Sequence, residues 1–439
     1  MATNEPSGRK RAAAASLVIA LAACGVALII GYNAKDLCTR HQWDGYQYRT
    51  LCYNDVFALY TFRGLQYQPF PYIHGDGIFD NEVRPDGSRG EVGDLEYPVL
   101  TGMLVGIVAE VTHNGVAFFH VTAVILAVLA LLSVALLWPM LRDTRRIFYF
   151  AIAPSLVLYT FHNWDVFAVF LMCLGLWAFH RRSDGWAGTM LGLGAAAKVF
   201  PGLILPALVL ARRRENGKVS WRMIGAAAGS FAVVNIPFAF IDRAGWWAPW
   251  KFQATRLPNF ETSWFNLYRH LTSQLDSFVL TRNYQSFTSY ASAGLFVAGA
   301  LLLLWAEGRR AHFRPYATSF GILLIWLLTA KVYSPQYALW LLPFFALVEI
   351  PWWGFAGFAI TDAAVWITVS WFFLSFKPPG VGNEATLAWY LEATVYARYA
   401  VLLVLLWLSR RANENVPDEP ISSPERSAGV LAAPVEFST

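Results

Sequence analysis

The sequence predicts an all-helical protein that crosses a membrane many times. Three observations carry this. Of 439 residues, 56% are hydrophobic and only 14% are charged, against roughly 25% charged in an average soluble protein. Apolar runs recur along most of the length. Arginine and lysine gather in short clusters between those runs, as topology signals do. The formal charge of +5 is modest and spread over loops, which argues against a nucleic-acid partner. The 19 tryptophans fit the aromatic belts of membrane–water interfaces.

The elements follow in chain order. Residues 12–31 form the first span, and Arg9, Lys10 and Arg11 before it place the N-terminus inside. Such a run makes about 30 Å of helix and exceeds a secretory apolar region of ~7–15 residues. It therefore reads as an uncleaved anchor. Leu21-Ala22-Ala23-Cys24 resembles a lipoprotein cleavage box, but Gly25 to Ile30 continue the apolar run. Further basic clusters fall at Arg142/Arg145/Arg146, Arg181/Arg182, Arg212/Arg213/Arg214 with Lys218, Arg309/Arg310/Arg314 and Arg410/Arg411. Placing all of them inside requires an even number of crossings between successive clusters.

Outer turns then fall near 161–165, 198–201, 331–337 and 377–393. The spans read as 12–31, 116–138, 147–161, 164–180, 186–197, 199–211, 222–241, 289–306, 316–330, 335–350, 354–376 and 394–409. These amount to about twelve crossings with both termini inside. The legs 186–197 and 199–211 are only ~18 Å each and read as a re-entrant hairpin or short helices. Segment 97–112 reads as a re-entrant or surface helix on the outer face, since a full crossing there would put 142–146 outside. Residues 1–411 thus form one transmembrane domain. Two large loops face outward, 32–115 and 242–288. The tail 412–439, with Pro417, Pro420, Pro424 and Pro434 among Glu and Ser, reads as disordered and cytoplasmic. No internal repeat is evident, unlike many secondary transporters.

The polar residues that could carry chemistry converge on the outer face. Asp55 and Glu96 lie in the first outer loop, and His162, Asn163 and Asp165 form a hairpin tip. Lys198 forms another tip, and Lys331, Tyr333, Ser334 and Gln336 a third. Ionisable groups at membrane depth are costly and usually face a cavity or a partner. Each also has a plainer reading. Asp55 could cap a helix beginning at Val56, although Asn54 could do so equally. Glu96 before Tyr97-Pro98 is an ordinary helix start. Lys198 and Lys331 could bind phosphate or merely snorkel, and Arg256 and Arg269 are further candidate phosphate ligands. The 161–165 tip could be a hydrogen-bonded turn. Trp246, Trp247, Trp250 and Trp264 could stack on sugars or form an interfacial belt. Cys38 and Cys52 share the first outer loop, where a disulfide would staple the segment leading into Asp55; the other reading is two free thiols. The sequence has no Walker-type loop, Cys-x-x-Cys pair, zinc-type His cluster or obvious Asp-x-Asp, so no metal or cofactor is expected.

With these segments assembled, the chain resembles the GT-C superfamily of membrane glycosyltransferases. Within it, the chain is similar to glycosyltransferase family 87 (DUF2029), built around polyprenol-phosphate-mannose-dependent α-mannosyltransferases. The segments that carry the likeness are Cys52-Tyr53-Asn54-Asp55 with Arg63-Gly64-Leu65 and Pro71-Tyr72, then Leu95-Glu96-Tyr97-Pro98-Val99-Leu100-Thr101-Gly102. Asn163-Trp164-Asp165, the run from Gly192 to Pro201 and Ser334-Pro335-Gln336-Tyr337 complete it. The resemblance implies a GT-C fold and an inverting transfer of sugar, expected to be mannose, from a polyprenyl phosphate to a lipid-linked or cell-envelope glycan. It implies a multi-pass protein of the bacterial plasma membrane with its site facing outward. The acidic residue of the first outer loop is the base in GT-C enzymes, a role that falls on Asp55. Lys331, Lys198, Arg256 and Arg269 are then expected around the donor phosphate. Glu96, Tyr97, His162, Asn163, Asp165, Tyr333 and Gln336 are expected around sugar and acceptor. The family often has Ser where this chain has Asn54, a swap that leaves the carboxylate in place. The stretch 76–94 is expected to shape the acceptor entrance.

Two rival readings stand beside this one. A transporter or flippase of lipid-linked sugar would need a polar path to the inner side, where mainly arginine clusters are found. A non-catalytic envelope assembly protein would have no need of Asp55.

Overall fold

A computed structural model describes residues 5–67, 70–73, 95–272, 278–376 and 384–417. The stretch 76–94 and the tail beyond 417 lie outside the described residues. The described residues are helical, with no strand among them. The longer helices are α1 (Glu5–Asp36), α2 (Asp55–Phe62), α3 (Val99–Val111), α4 (Gly115–Leu137) and α5 (Asp165–His180). They continue with α6 (Asp184–Ala197), α7 (Leu205–Asn216), α8 (Trp221–Ile241), α9 (Arg243–Thr255) and α10 (Ser263–Thr272). The last four are α11 (Phe278–Gly308), α12 (Pro315–Thr329), α13 (Trp352–Ser375) and α14 (Glu384–Ser409).

Among the described residues, six helices are long and apolar enough to cross a membrane: parts of α1, α4 and α11, with α8, α13 and α14. α3, α5 and α12 are shorter apolar helices. Two segments read from sequence as continuous spans are broken, as is 199–211, which reads from sequence as a leg of a re-entrant hairpin or as short helices. Within 147–161 the chain forms Phe148–Ala151 and Pro154–Tyr159; within 199–211 it forms Phe200–Leu203 and then α7; and 335–350 holds a 3-10 turn, Pro335–Leu341, before Leu342–Leu347. A proline lies at the start of the second helix in each pair and of the 3-10 turn as well: Pro154, Pro206, Pro335 and Pro343. Proline lacks the N–H a continuing helix needs and clashes with the preceding turn. The freed backbone of 335–350 is tolerated because that segment is buried inside the bundle, whereas Ile152, Pro154 and Pro206 at the other two breaks are exposed.

Small residues set the closest helix contact. A Cβ on Gly188 would lie 2.1 Å from the Met223 carbonyl oxygen, and one on Gly192 would lie 2.2 Å from that of Ala227. α6 and α8 therefore meet backbone to backbone, as small-residue membrane interfaces do. The outer flank of α8 carries exposed Val233 and Phe240, suited to lipid. α13 is the more enclosed helix, with Phe358, Val365 and Val369 fully buried.

The arginine clusters gather at one end of the molecule. Arg146 donates to the carbonyls of Phe345, Val348 and Ile350 at 3.0, 2.8 and 2.8 Å. Arg314 and Arg410 share Glu307, Arg214 donates to the Arg310 carbonyl at 2.7 Å, and Arg212 joins Asp184 and Glu215. Cations at helix C-termini satisfy the last carbonyls and the helix dipole. α5 ends and α6 begins at this face, so the start of α5 and the end of α6 lie at the opposite one.

Candidate active site

The site is built where α2, α3, α5 and α6 present their far ends. Asn54 caps α2, its side-chain oxygen accepting from Phe57 N at 2.8 Å. The cap position thus belongs to Asn54, and the Asp55 carboxylate is left for other partners. It accepts from the Tyr53 hydroxyl at 3.0 Å and the Tyr97 hydroxyl at 3.2 Å. The Asp55 amide donates to the His162 carbonyl at 2.7 Å, which ties the segment after α1 to the 161–165 tip.

The segment before Asp55 is clamped three ways. Cys38 and Cys52 form a disulfide between the end of α1 and the loop. Lys35 Nζ donates to the carbonyls of Leu51 and Tyr53 at 3.0 and 2.9 Å. Leu51 takes a left-handed backbone, φ 60°, a costly choice for a β-carbon residue that the clamps must sustain.

Tyr97 is the centre of the far wall. Its carbonyl accepts from the Tyr72 hydroxyl at 2.6 Å. Tyr72 lies so close to α3 that a Cβ on Gly102 would sit 2.1 Å from its hydroxyl. The Tyr97 hydroxyl receives Asn163 Nδ2 at 3.2 Å, and Asn163 Oδ1 accepts from the Asp165 amide at 3.0 Å. Asp165 is fully buried. It pairs with Lys198 and accepts from the Trp340 indole at 2.7 Å. The Lys198 ammonium lies 5.5 Å from the Tyr97 ring centre and 4.7 Å from that of Tyr337. His162 is buried, within 5.6 Å of the Tyr53 ring and 5.2 Å of Trp366. Burial, then the Lys35 charge, holds its imidazole well below its ordinary range.

The surroundings make Asp55 a stronger base than an ordinary carboxylate. It is half-buried, and its pKa is pushed up to about 6 by desolvation first and by the Glu96 charge second. The two tyrosine hydroxyls and Lys198 pull the other way. Glu96 itself is paired with Arg63 at 2.9 Å. The Tyr97 phenol is driven well above its usual range by burial and then by Asp55, so it stays a hydrogen-bond donor.

The remaining candidates lie elsewhere. Lys331 spends its ammonium on the carbonyls of Ala254 and Arg256, at 3.0 and 2.9 Å, and on Ser289 Oγ at 2.7 Å. A lysine has three N–H donors, so this one is fully engaged in joining α9 and α11. Desolvation, then Arg256, lowers it to about 8. Arg256 donates to Asn259 Oδ1 and lies 4.9 Å from the Phe252 ring. Arg269 pairs with Glu392 on α14, beside His270. Tyr333 is fully buried, and Gln336 is nearly so, its Oε1 lacking a hydrogen bond. Trp246 and Trp247 line a cavity of about 500 Å³ with Arg243 and Ala244. Gly245 between them packs on Tyr72, so this cavity flanks the site.

Sequence reasoning missed the second wall. Tyr53, Arg63, Lys35 and Trp340 hold the candidate acid or its neighbours; Tyr53 and Arg63 stand in the segments of the family likeness without a role, and nothing in the local pattern of Lys35 and Trp340 separates them from belt or loop residues. Asp362 and Arg398 did carry a signal, as charges inside the apolar runs 354–376 and 394–409.

The fold is thus a helical bundle with six helices long enough to cross a membrane among the described residues, and a half-buried carboxylate lies at one end of it. The model of glycosyltransferase family 87 matches residues 96–335, more than half the chain. The chain belongs to that family and is a membrane glycosyltransferase. The match begins at Glu96, so Asp55 and both cysteines precede it. No curated protein matches the chain.

Proposed function

We propose that the protein transfers a sugar, mannose, from a polyprenyl phosphate to a lipid-linked or cell-envelope glycan, with inversion and on the extracytoplasmic side, within a GT-C fold. One observation carries this reading. Asn54 takes the helix cap while two tyrosine hydroxyls aim at an Asp55 carboxylate with a pKa of about 6. A base poised just below neutral pH is ionised yet stronger than an ordinary carboxylate.

In this reaction the acceptor hydroxyl gives its proton to Asp55. Its oxygen bonds to the anomeric carbon as the bond from that carbon to the phosphate oxygen breaks. The electron pair leaves with the polyprenyl phosphate. One displacement needs one base and no carboxylate nucleophile. Lys198 supports the leaving phosphate best, because its charge reaches Asp55. Arg256 is the second choice, since the charges of both act on Tyr337. Lys331 and Arg269 fit a scaffold role better. Tyr97, Asn163, Asp165, His162 and Glu96 shape the carboxylate's surroundings.

The test is transfer of radiolabelled mannose from synthetic polyprenyl-phosphate mannose into membrane lipids by wild type and Asp55→Asn. Transfer that vanishes in the variant while donor binding persists supports the reading. Retained turnover removes Asp55 from the base role, and transfer of another sugar instead of mannose replaces the donor.

A further inference from the structure

The buried charges of α13 and α14 take no part in the chemistry above. Arg398 is fully buried and Asp362 almost so. Arg398 Nη2 donates to the Glu261 carbonyl at 2.6 Å, and its guanidinium lies 3.7 Å from the Tyr333 ring centre. Its Nη1 approaches Asp362 Oδ1 at 3.6 Å, an ion-pair distance too long for a hydrogen bond. Five buried polar atoms here lack a hydrogen bond: Arg398 Nε and Nη1, Asp362 Oδ1, the Tyr333 hydroxyl and the hydroxyl of Tyr159, which faces Asp362. Buried polar groups are rarely left so, and each needs an explanation.

The cluster is joined to the candidate base from two sides. Tyr159 lies beside Asp362, and its ring is 6.3 Å from that of His162, which touches Tyr53. On the other side Tyr333 stacks at 6.2 Å on Tyr337, the ring beneath Lys198.

We propose that Arg398, Asp362 and Tyr333 recognise hydroxyl groups of the donor sugar, an inference that rests on the proposed use of a lipid-linked sugar donor. The chemistry selects the ligand class. A phosphate would satisfy Arg398 but would set an anion against Asp362. A sugar hydroxyl donates to Asp362 Oδ1 and accepts from Arg398 or Tyr333, so neighbouring hydroxyls on one ring match the donors and the acceptor of these three side chains.

The test measures equilibrium binding to the full chain in nanodiscs, using polyprenyl-phosphate sugars, hexose and pentose, against bare polyprenyl phosphate. Tyr333→Phe keeps the ring beneath Arg398 and removes only the hydroxyl. It should weaken the preferred sugar lipid about three- to tenfold and leave the bare lipid unchanged. Asp362→Asn should act in the same direction. Equal weakening of both lipids would make the cluster structural. No change in either would make it a hydrated ion pair, and a wild type with no preference for any sugar lipid would likewise overturn the proposal. Asp55→Asn separates the two readings, since it should keep the sugar preference and lose transfer. Retained transfer there, with a lost preference in Tyr333→Phe, would sink the base and leave the recognition standing.

Discussion

Tyr53→Phe tests the site through its least disruptive change. Phenylalanine keeps the ring contacts with Trp43 at 5.5 Å and His162 at 5.6 Å. It removes one hydroxyl, 3.0 Å from the Asp55 carboxylate. That hydroxyl stabilises the ionised form, so its loss raises the Asp55 pKa. A hydrogen bond to a charged group contributes about 1.5–3 kcal/mol, and 1.36 kcal/mol is one pKa unit. Water can replace part of the bond at a half-buried carboxylate, which favours the lower end, about one unit. The acid limb of kcat/KM should therefore move from about 6 to about 7. At pH 7 the ionised fraction falls from roughly nine-tenths to a half, so activity drops about twofold. At higher pH the variant should match wild type. The assay is sugar transfer from a polyprenyl phosphate donor across pH 5 to 9. A limb that stays in place, or a loss equal at every pH, would refute the assignment of Asp55 as the titrating base.

Three further predictions follow from neighbouring contacts. Glu96→Gln removes the charge that helps raise Asp55, so the same acid limb should shift to lower pH; an upward shift would contradict the electrostatics. Lys198→Met leaves Asp165 buried without its cation, a loss of about 3–5 kcal/mol in stability. Adding Asp165→Asn should recover much of the thermal midpoint in nanodiscs, and no recovery would mean the pair is not coupled. Replacing Cys38 and Cys52 by serine opens a loop of sequence separation 14, and the chain-entropy cost of about 3 kcal/mol should appear as a lower unfolding midpoint. A midpoint insensitive to both serines and to reductant would exclude the bond from the mature protein.

The sequence exposes the ends of this fold better than its interior. Each arginine cluster stands out against apolar runs, and the carboxylates and carbonyls that Arg212, Arg314, Arg410 and Arg146 hold lie at one face. Prolines 154, 335 and 343 were equally visible, yet hydropathy averages over them, so broken segments read as spans. Asn54 and Asp55 show the limit most sharply. Either could cap α2 by propensity, and only the tyrosine hydroxyls, which arrive from Tyr53 and from the distant Tyr97, separate their roles. Lys331 was legible as a tip residue, but its three acceptors come from α9 and α11. Such long-range partners leave no local pattern.

The two ends of the α5–α6 hairpin explain how a site at one face is held by charges at the other. At the arginine-rich end Arg212 joins Asp184 at 2.7 Å and donates to the Phe179 carbonyl at 2.5 Å. At the far end Lys198 joins Asp165. The Asp184–Ala197 helix between them is about 21 Å long. A slip of α6 against α5 by one turn, about 5.4 Å, would break both clamps together. The hairpin therefore has one register. Thr101 Oγ1 donates to the Ala197 carbonyl at 2.7 Å, which carries that register into α3, the helix that begins just after Tyr97. The spacing between Lys198 and the Asp55 carboxylate is thus set by rigid helices rather than by loops. The proposed reaction, with a base at the acceptor hydroxyl on one side of the anomeric carbon and a cation at the leaving phosphate on the other, would need such fixed spacing.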